Sequence, residues 1–136
     1  MTVDAARAFL RDHPQGVLAT RRRDGRPQLS PVVAAVDDDG SVVISTRAGA
    51  IKTANALRHP EATLLVLSEG FFGPWHTLEG PVVVEHLPGA MATLERYYRL
   101  VQGEHPNWAE YREAMVRERR VILRLRPVTA GPRVQG

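Results

Sequence analysis

The sequence contains no cysteine. Disulfides, thiolate metal sites and cysteine nucleophiles are thereby excluded, and a reducing cytoplasm is the compartment this fits. No stretch approaches the ~18 consecutive apolar residues of a membrane span, and no signal peptide opens the chain. A soluble, cytoplasmic protein with no membrane partner is expected. The five histidines, His13, His59, His76, His86 and His105, show no H-x-x-x-H spacing, so no metal site is expected. Neither G-x-S-x-G nor G-x-x-x-x-G-K-[ST] occurs, and there is no internal repeat or low-complexity tract. Lysine is nearly absent: Lys52 stands alone beside 17 arginines. Such consistent use of arginine suggests a GC-rich source genome and says nothing of function.

What is present is an ordinary globular composition. With 136 residues the chain fits a single domain, residues 1–136. Hydrophobic residues make up 43%, and a folded chain of this size buries roughly two-thirds of its unfolded surface. Little volume is spare to enclose a large ligand, so a cofactor would sit more easily in a surface groove or between two subunits. The net charge of +3 is mild, and the arginines are spread out apart from Arg21–Arg23 and Arg117 to Arg126. There is no clustered stripe of aromatic and basic residues, so nucleic acid is not an expected partner.

Periodicity and breakers set the expected elements. Val3, Ala6, Phe9 and Leu10 have helical spacing, with Thr2 as N-cap and Pro14 as the stop. Gly16–Thr20 reads as a strand, Asp24-Gly25 as a hairpin turn, and Gln28–Val36 as the returning strand. Pro31 inside that strand argues for an edge position or a bulge. After the turn Asp37–Gly40 come a strand over Ser41–Thr46 and a short helix over Ala50–Arg58. Strands over Ala62–Leu67 and Thr77–Glu85 flank a loop, Glu69–Pro74, that carries Phe71 and Phe72. Helices over Pro88–Gln102 and Asn107–Arg117 are separated by Gly103. Val121–Leu125, where apolar residues alternate with arginine, reads as the last strand, and Thr129–Gly136 as a loose tail. Six short strands with hairpin turns suggest a mainly β fold, a small barrel with helices packed outside it.

The lone lysine lies where the third strand gives way to a helix, in "STRAGAIKT". A helix N-terminus offers unpaired N–H groups and a partial positive charge, which favour a phosphate. Gly49 would let the backbone approach closely. Thr46 and Thr53 could donate hydroxyl hydrogen bonds, and Arg47 and Lys52 would add full charge. The competing reading is an ordinary strand-to-helix turn with a solvent-facing lysine.

Four stretches carry a resemblance. They are "GVLATRRRDGRPQLSPV", "ISTRAGAIKTANALRHPEATLLV", "WHTLEGPVVV" and "YYRLVQGEHPNWAEYREAMVRERRVILRLRP", which together span Gly16 to Pro127. In this order and spacing the sequence resembles the pyridoxamine-phosphate-oxidase-like split-barrel flavoproteins. More closely, it resembles their actinobacterial branch of deazaflavin (coenzyme F420) dependent reductases. The resemblance implies a split β-barrel homodimer with two cofactor sites at the subunit interface. It implies that the Lys52 turn holds the cofactor phosphate, and that Gln28, Leu29, Ser30 and Val32 run along the ring. It further implies that Ser45 and Thr46 lie beside ring and ribityl chain, that Asn55 faces the site or caps the turn, and that Trp75 and His76 reach in from the partner subunit.

The implied activity is hydride transfer from reduced F420 to an oxidised small molecule such as an enone, quinone or nitro compound. The cofactor carries the hydride, and no catalytic triad is required. His76 is the first candidate for a proton donor, ahead of Tyr97, Tyr98 or water. Arg117, Arg119 and Arg120 read as a solvated face, or as a site for an anionic cofactor tail. Some members of the branch carry an arginine where this chain has Ala50. The oxidases commonly show two adjacent basic residues in the turn, whereas Ile51 and Thr53 flank Lys52. The closing "TAGPRVQG" lacks the tryptophan that serves the oxidases' substrate phosphate, which argues against pyridoxamine phosphate oxidase activity. The alternatives are an oxidoreductase of the same fold using flavin mononucleotide (FMN), and a non-catalytic cofactor- or haem-binding protein.

Overall fold

In the computed structural model, which describes residues 2–132, the first helix starts where the sequence predicts. The Thr2 hydroxyl accepts the Ala5 N–H at 3.1 Å, and α1 (Val3–Asp12) turns Ala6 and Leu10 inward. β1 (Gln15–Arg21) and β2 (Pro27–Val33) form the expected hairpin, with Gly25 at φ 90° in its tip. The strand expected over Gln28–Val36 is in fact two strands. It breaks at Ala34, whose N–H donates to the Pro14 carbonyl at 2.8 Å. β3 (Ala35–Val36) then pairs with β4 (Val42–Arg47) rather than with β1.

The chain continues through α2 (Ile51–Arg58), β5 (Glu61–Leu67), β6 (Trp75–Glu85), α3 (Met91–Gln102) and α4 (Trp108–Arg117), and ends in β7 (Arg120–Leu125) and β8 (Thr129–Gly131). There are thus eight strands among the described residues where six were expected. Part of the expected loose tail is β8, which pairs antiparallel with Thr77–Glu79; residues 133–136 lie outside the described residues.

The strand order is β2-β1-β5-β6-β7-β4-β3, with every pair antiparallel. β6 serves both halves: Trp75–Pro81 pairs with β5 and Val82–Glu85 with β7. Just before the switch of partners stands Gly80, where any Cβ would collide with the Arg126 carbonyl. β2 and β3 are nearly continuous in sequence yet stand at opposite ends of the strand order. The sheet therefore curls back on itself as a split half-barrel, with the helices flanking it.

One apolar cluster fills the barrel, including Leu18, Ile44, Leu64, Leu78 and Leu123. A second lies under α3 and α4, where Val43 and Ile122 meet Leu94, Tyr111 and Met115. The strand expected over Val121–Leu125 is present as β7, and it is buried on both faces. Val121–Leu125 is buried throughout, Arg124 included. All five Arg124 N–H groups have acceptors: both Glu85 oxygens at 3.0 and 3.1 Å, Asp37 at 2.9 Å, Thr93 at 3.1 Å, and Ser41. Arg96 makes a second, two-pronged pair with Asp37 at 2.9 and 3.1 Å. The run Asp37–Gly40, which reads as a plain turn, thus anchors β7 and α3.

The G-E-H-x-x-W-x-x-Y stretch closes the α3–α4 connection. Glu104 pairs with Arg99 at 2.9 Å and accepts the Trp108 indole N–H at 3.1 Å, and the Arg99 guanidinium stacks 4.3 Å from the Trp108 ring centre. Tyr98, His105 and Tyr111 complete this aromatic cluster. The role of this stretch is architectural. No helix among the described residues is long and apolar enough to cross a membrane.

Candidate functional site

β4 runs into α2 through the turn Arg47–Ala50. The Ala50 N–H donates to the Arg47 carbonyl at 3.1 Å, and the Ala48 N–H to Arg119 at 2.8 Å, which ties the turn to β7. Ala50 is the N-cap and supplies no side-chain cap. Among the described residues the N–H groups of Gly49, Ile51 and Lys52 find no backbone acceptor. Lys52 is half-buried and makes no ion pair with a described residue. Full charge and free N–H groups therefore meet at one helix start.

The neighbours of Lys52 behave differently from the sequence expectation. Thr53 is fully buried and its hydroxyl donates to the Arg47 carbonyl at 2.7 Å, so it braces the turn and has no proton left for a ligand. Arg47 is exposed and leans on Glu118 at 3.4 Å. Glu118 is held more closely by Arg120 at 2.9 Å, and that pairing keeps its carboxyl below the usual range. Arg120 is half-buried in this pair and does not belong to a solvated face.

Asn55 neither caps the turn nor lies open. It is buried, accepts from Arg58 at 3.1 Å and donates to the Thr20 hydroxyl at 3.2 Å, and Thr20 donates to Gln28 at 3.3 Å. This relay fixes the start of β2 against α2. The sequence reading did not single out Thr20, yet counting back from the Asp24-Gly25 turn pairs Thr20 with Gln28.

β2 and β4 come within 8 Å of each other (Cα–Cα) without pairing. β2 has no strand on its outer side, and β3 covers β4 only at Val42 and Val43. Two strand edges with free backbone groups therefore flank a slot between β2 and Ile44–Arg47, about 13 Å long at ~3.3 Å per residue over four residues. At one end lie the start of α2 and Gln28. At the other the Tyr97 hydroxyl donates to the Val33 carbonyl at 2.8 Å, beside Ser45. Burial raises the Tyr97 pKa above its ordinary value. That proton is already engaged, and Tyr98 sits in the α3–α4 aromatic cluster, so neither is placed as the donor.

Strand alternation separates several expected neighbours. Gln28, Ser30 and Val32 share the barrel-side face of β2, whereas Leu29 faces outward and is 61% exposed. Thr46 points into the barrel with Val42 and Ile44, while Ser45 takes the opposite face with Val43. On β6, His76 turns inward, edge-on to Phe9 at 4.4 Å between ring centres, and Trp75 turns outward, 38% exposed. No hydrogen bond or aromatic contact of the described residues joins either to the Lys52 turn within the chain. Among the described residues the Ser30 hydroxyl and His76 Nδ1 are buried without a hydrogen-bond partner. Among the described residues no group of three or more acidic or histidine side chains could hold a metal ion.

The pyridoxamine 5'-phosphate oxidase family model matches residues 2–132, and the chain belongs to that family. It is similar in fold to a conserved hypothetical protein from Mycobacterium tuberculosis, at 22% identity and a TM-score of 0.75, over 100% of this chain and 92% of the other. An F420 reductase matches at 23% identity and a TM-score of 0.67, over 90% and 93% of the two chains. A heme binding protein from Mycobacterium smegmatis matches at 19% identity and a TM-score of 0.70, over 94% of this chain and 52% of the other.

Proposed function

We propose that this member of the pyridoxamine 5'-phosphate oxidase family is an oxidoreductase of the actinobacterial deazaflavin branch. It binds coenzyme F420, with FMN as the alternative, along the slot between β2 and β4. The carrying observation is the uncapped start of α2, where an unpaired Lys52 and free N–H groups stand at the end of two unpaired strand edges. A phosphorylated ring cofactor fits this donor set: phosphate at α2, ring edge along the backbone of β2, and the orphaned Ser30 hydroxyl within the same strand.

When bound, the cofactor supplies a hydride to an oxidised organic acceptor, which takes up one proton to complete the reduction. The chain's own residues bind and orient. Lys52 and the α2 N–H groups hold the phosphate, and the Asn55–Thr20–Gln28 relay fixes the strand edge that positions the ring. Ser45 and Thr46 flank the slot from β4. His76 remains the proposed proton donor through Nε2, since its Nδ1 is buried beside Phe9. In the homodimer that this reading includes, the outward-facing Trp75 serves the partner's slot, and His76 would reach it only through the Nε2 side of its inward-turned ring.

Titration of the purified protein with F420 and with FMN, followed by cofactor fluorescence, tests the reading. Micromolar or tighter binding of F420 alone supports it. Preference for FMN moves the protein to the flavin alternative. Tight binding without turnover of any enone, quinone or nitro compound contradicts the assignment as an enzyme.

A further inference from the structure

The outer face of the strands β2, β1 and β5 carries a groove of about 550 Å³ beside the last residues of β2. Its walls are Val17, Pro31, Val33, Leu67 and Phe71, and Glu69 is the one charged side chain among its lining residues. Leu67 and Glu69 also border a smaller cleft of about 230 Å³ that adds Asp12 and His13. The volume falls in the range of small-molecule sites, which are mostly apolar with a few polar groups. Among the described residues no arginine or lysine lines either cavity.

We propose that this groove is the acceptor subsite, and that it selects uncharged or amine-bearing planar apolar molecules over anions. The assignment rests on the cofactor reading above, because the groove shares Pro31–Val33 with the β2 edge that the ring would follow. An apolar acceptor lying over Val17, Val33 and Leu67 is thus brought beside that edge. Phe71, 77% exposed on the β5–β6 loop, forms the outer wall. Glu69 in the groove, with Asp12 beside His13 in the adjoining cleft, disfavours a phosphate, carboxylate or sulfonate, and neither described lining offers it an arginine or lysine. The basic hairpin tip, Arg21–Arg23, lies at the other end of β1, outside this lining.

Equilibrium dialysis of the full chain against 1,4-naphthoquinone and its 2-sulfonate tests the proposal, with and without oxidised cofactor. The chain has no cysteine to be arylated by the probe. The expected result is at least tenfold tighter binding of the neutral quinone. Glu69→Arg should bring the sulfonate level with it, and Leu67→Arg should weaken the quinone at least tenfold while cofactor affinity stays unchanged. Failure of both probes on protein that binds cofactor overturns the subsite and leaves the cofactor reading intact. Quinone binding with this selectivity on protein that binds neither cofactor shows a small-molecule groove but overturns the cofactor reading and, with it, the groove's role as acceptor subsite. Conversion of a dimer to a monomer by Leu67→Arg, with quinone affinity unchanged, assigns the groove to a second copy and overturns the proposal.

Discussion

The Thr53 hydroxyl donates to the Arg47 carbonyl at 2.7 Å, across the turn that opens α2. Thr53→Val keeps the shape and removes the donor, leaving a carbonyl without its partner. A loss of about 1–3 kcal/mol in urea unfolding is expected. Cofactor affinity should fall far less than for a change at Lys52, because Thr53 shapes the turn and does not touch the ligand.

Gly49 and Gly80 should behave oppositely. A Cβ at Gly49 meets nothing within 4 Å, whereas one at Gly80 meets the Arg126 backbone. Gly49→Ala should leave the urea midpoint unchanged and weaken cofactor binding, since the turn must approach a phosphate closely. Gly80→Ala should cost ~1–3 kcal/mol of stability, as over-packing does. Equal affinity of Gly49→Ala and wild type would place the phosphate elsewhere.

Asp37 carries the ion network on its 3%-exposed side chain. The Arg96 hydrogen bonds, and then the one from Arg124, hold its carboxyl well below the usual carboxylate range. A carboxyl lowered in the folded state stabilises fully above its unfolded value of 3.8 and less as pH falls below it. Wild-type unfolding free energy should therefore drop below about pH 4. Asp37→Asn should lose about 3–5 kcal/mol at pH 7, because the buried Arg124 charge loses a partner, and should show a shallower acid decline. Urea titrations at pH 3 to 7 measure both effects.

Assembly provides a separate check. Phe71, Phe72 and Trp75 are 77%, 97% and 38% exposed along one loop and the strand it enters. The proposed homodimer should appear in light scattering at micromolar concentration. A clean monomer would remove the basis for Trp75 and His76 serving a partner.

Local signals made much of the fold legible. Thr2 acts through its own hydroxyl and Asp24-Gly25 and Gly103 through their own backbone, and each marks an element end in the structure. The break at Ala34 was not legible, because β3 is defined by pairing with β4 and by the Pro14 carbonyl. The role of Asp37 was hidden for the same reason: its partners Arg96 and Arg124 lie 59 and 87 residues away. At the site, the helix start at Lys52 could be read from the sequence, but the inward aim of Thr53 depends on how α2 docks. The separation of Ser45 from Thr46, and of Trp75 from His76, could have been read from strand alternation alone.

The most direct test is the affinity of Lys52→Ala for F420 and FMN, beside a urea curve that verifies folding. The account predicts a loss of roughly 1.5–3 kcal/mol, about 10- to 150-fold, for the cofactor that wild type binds, with stability unchanged. Unchanged affinity in a folded variant would contradict the claim that this turn holds the cofactor phosphate.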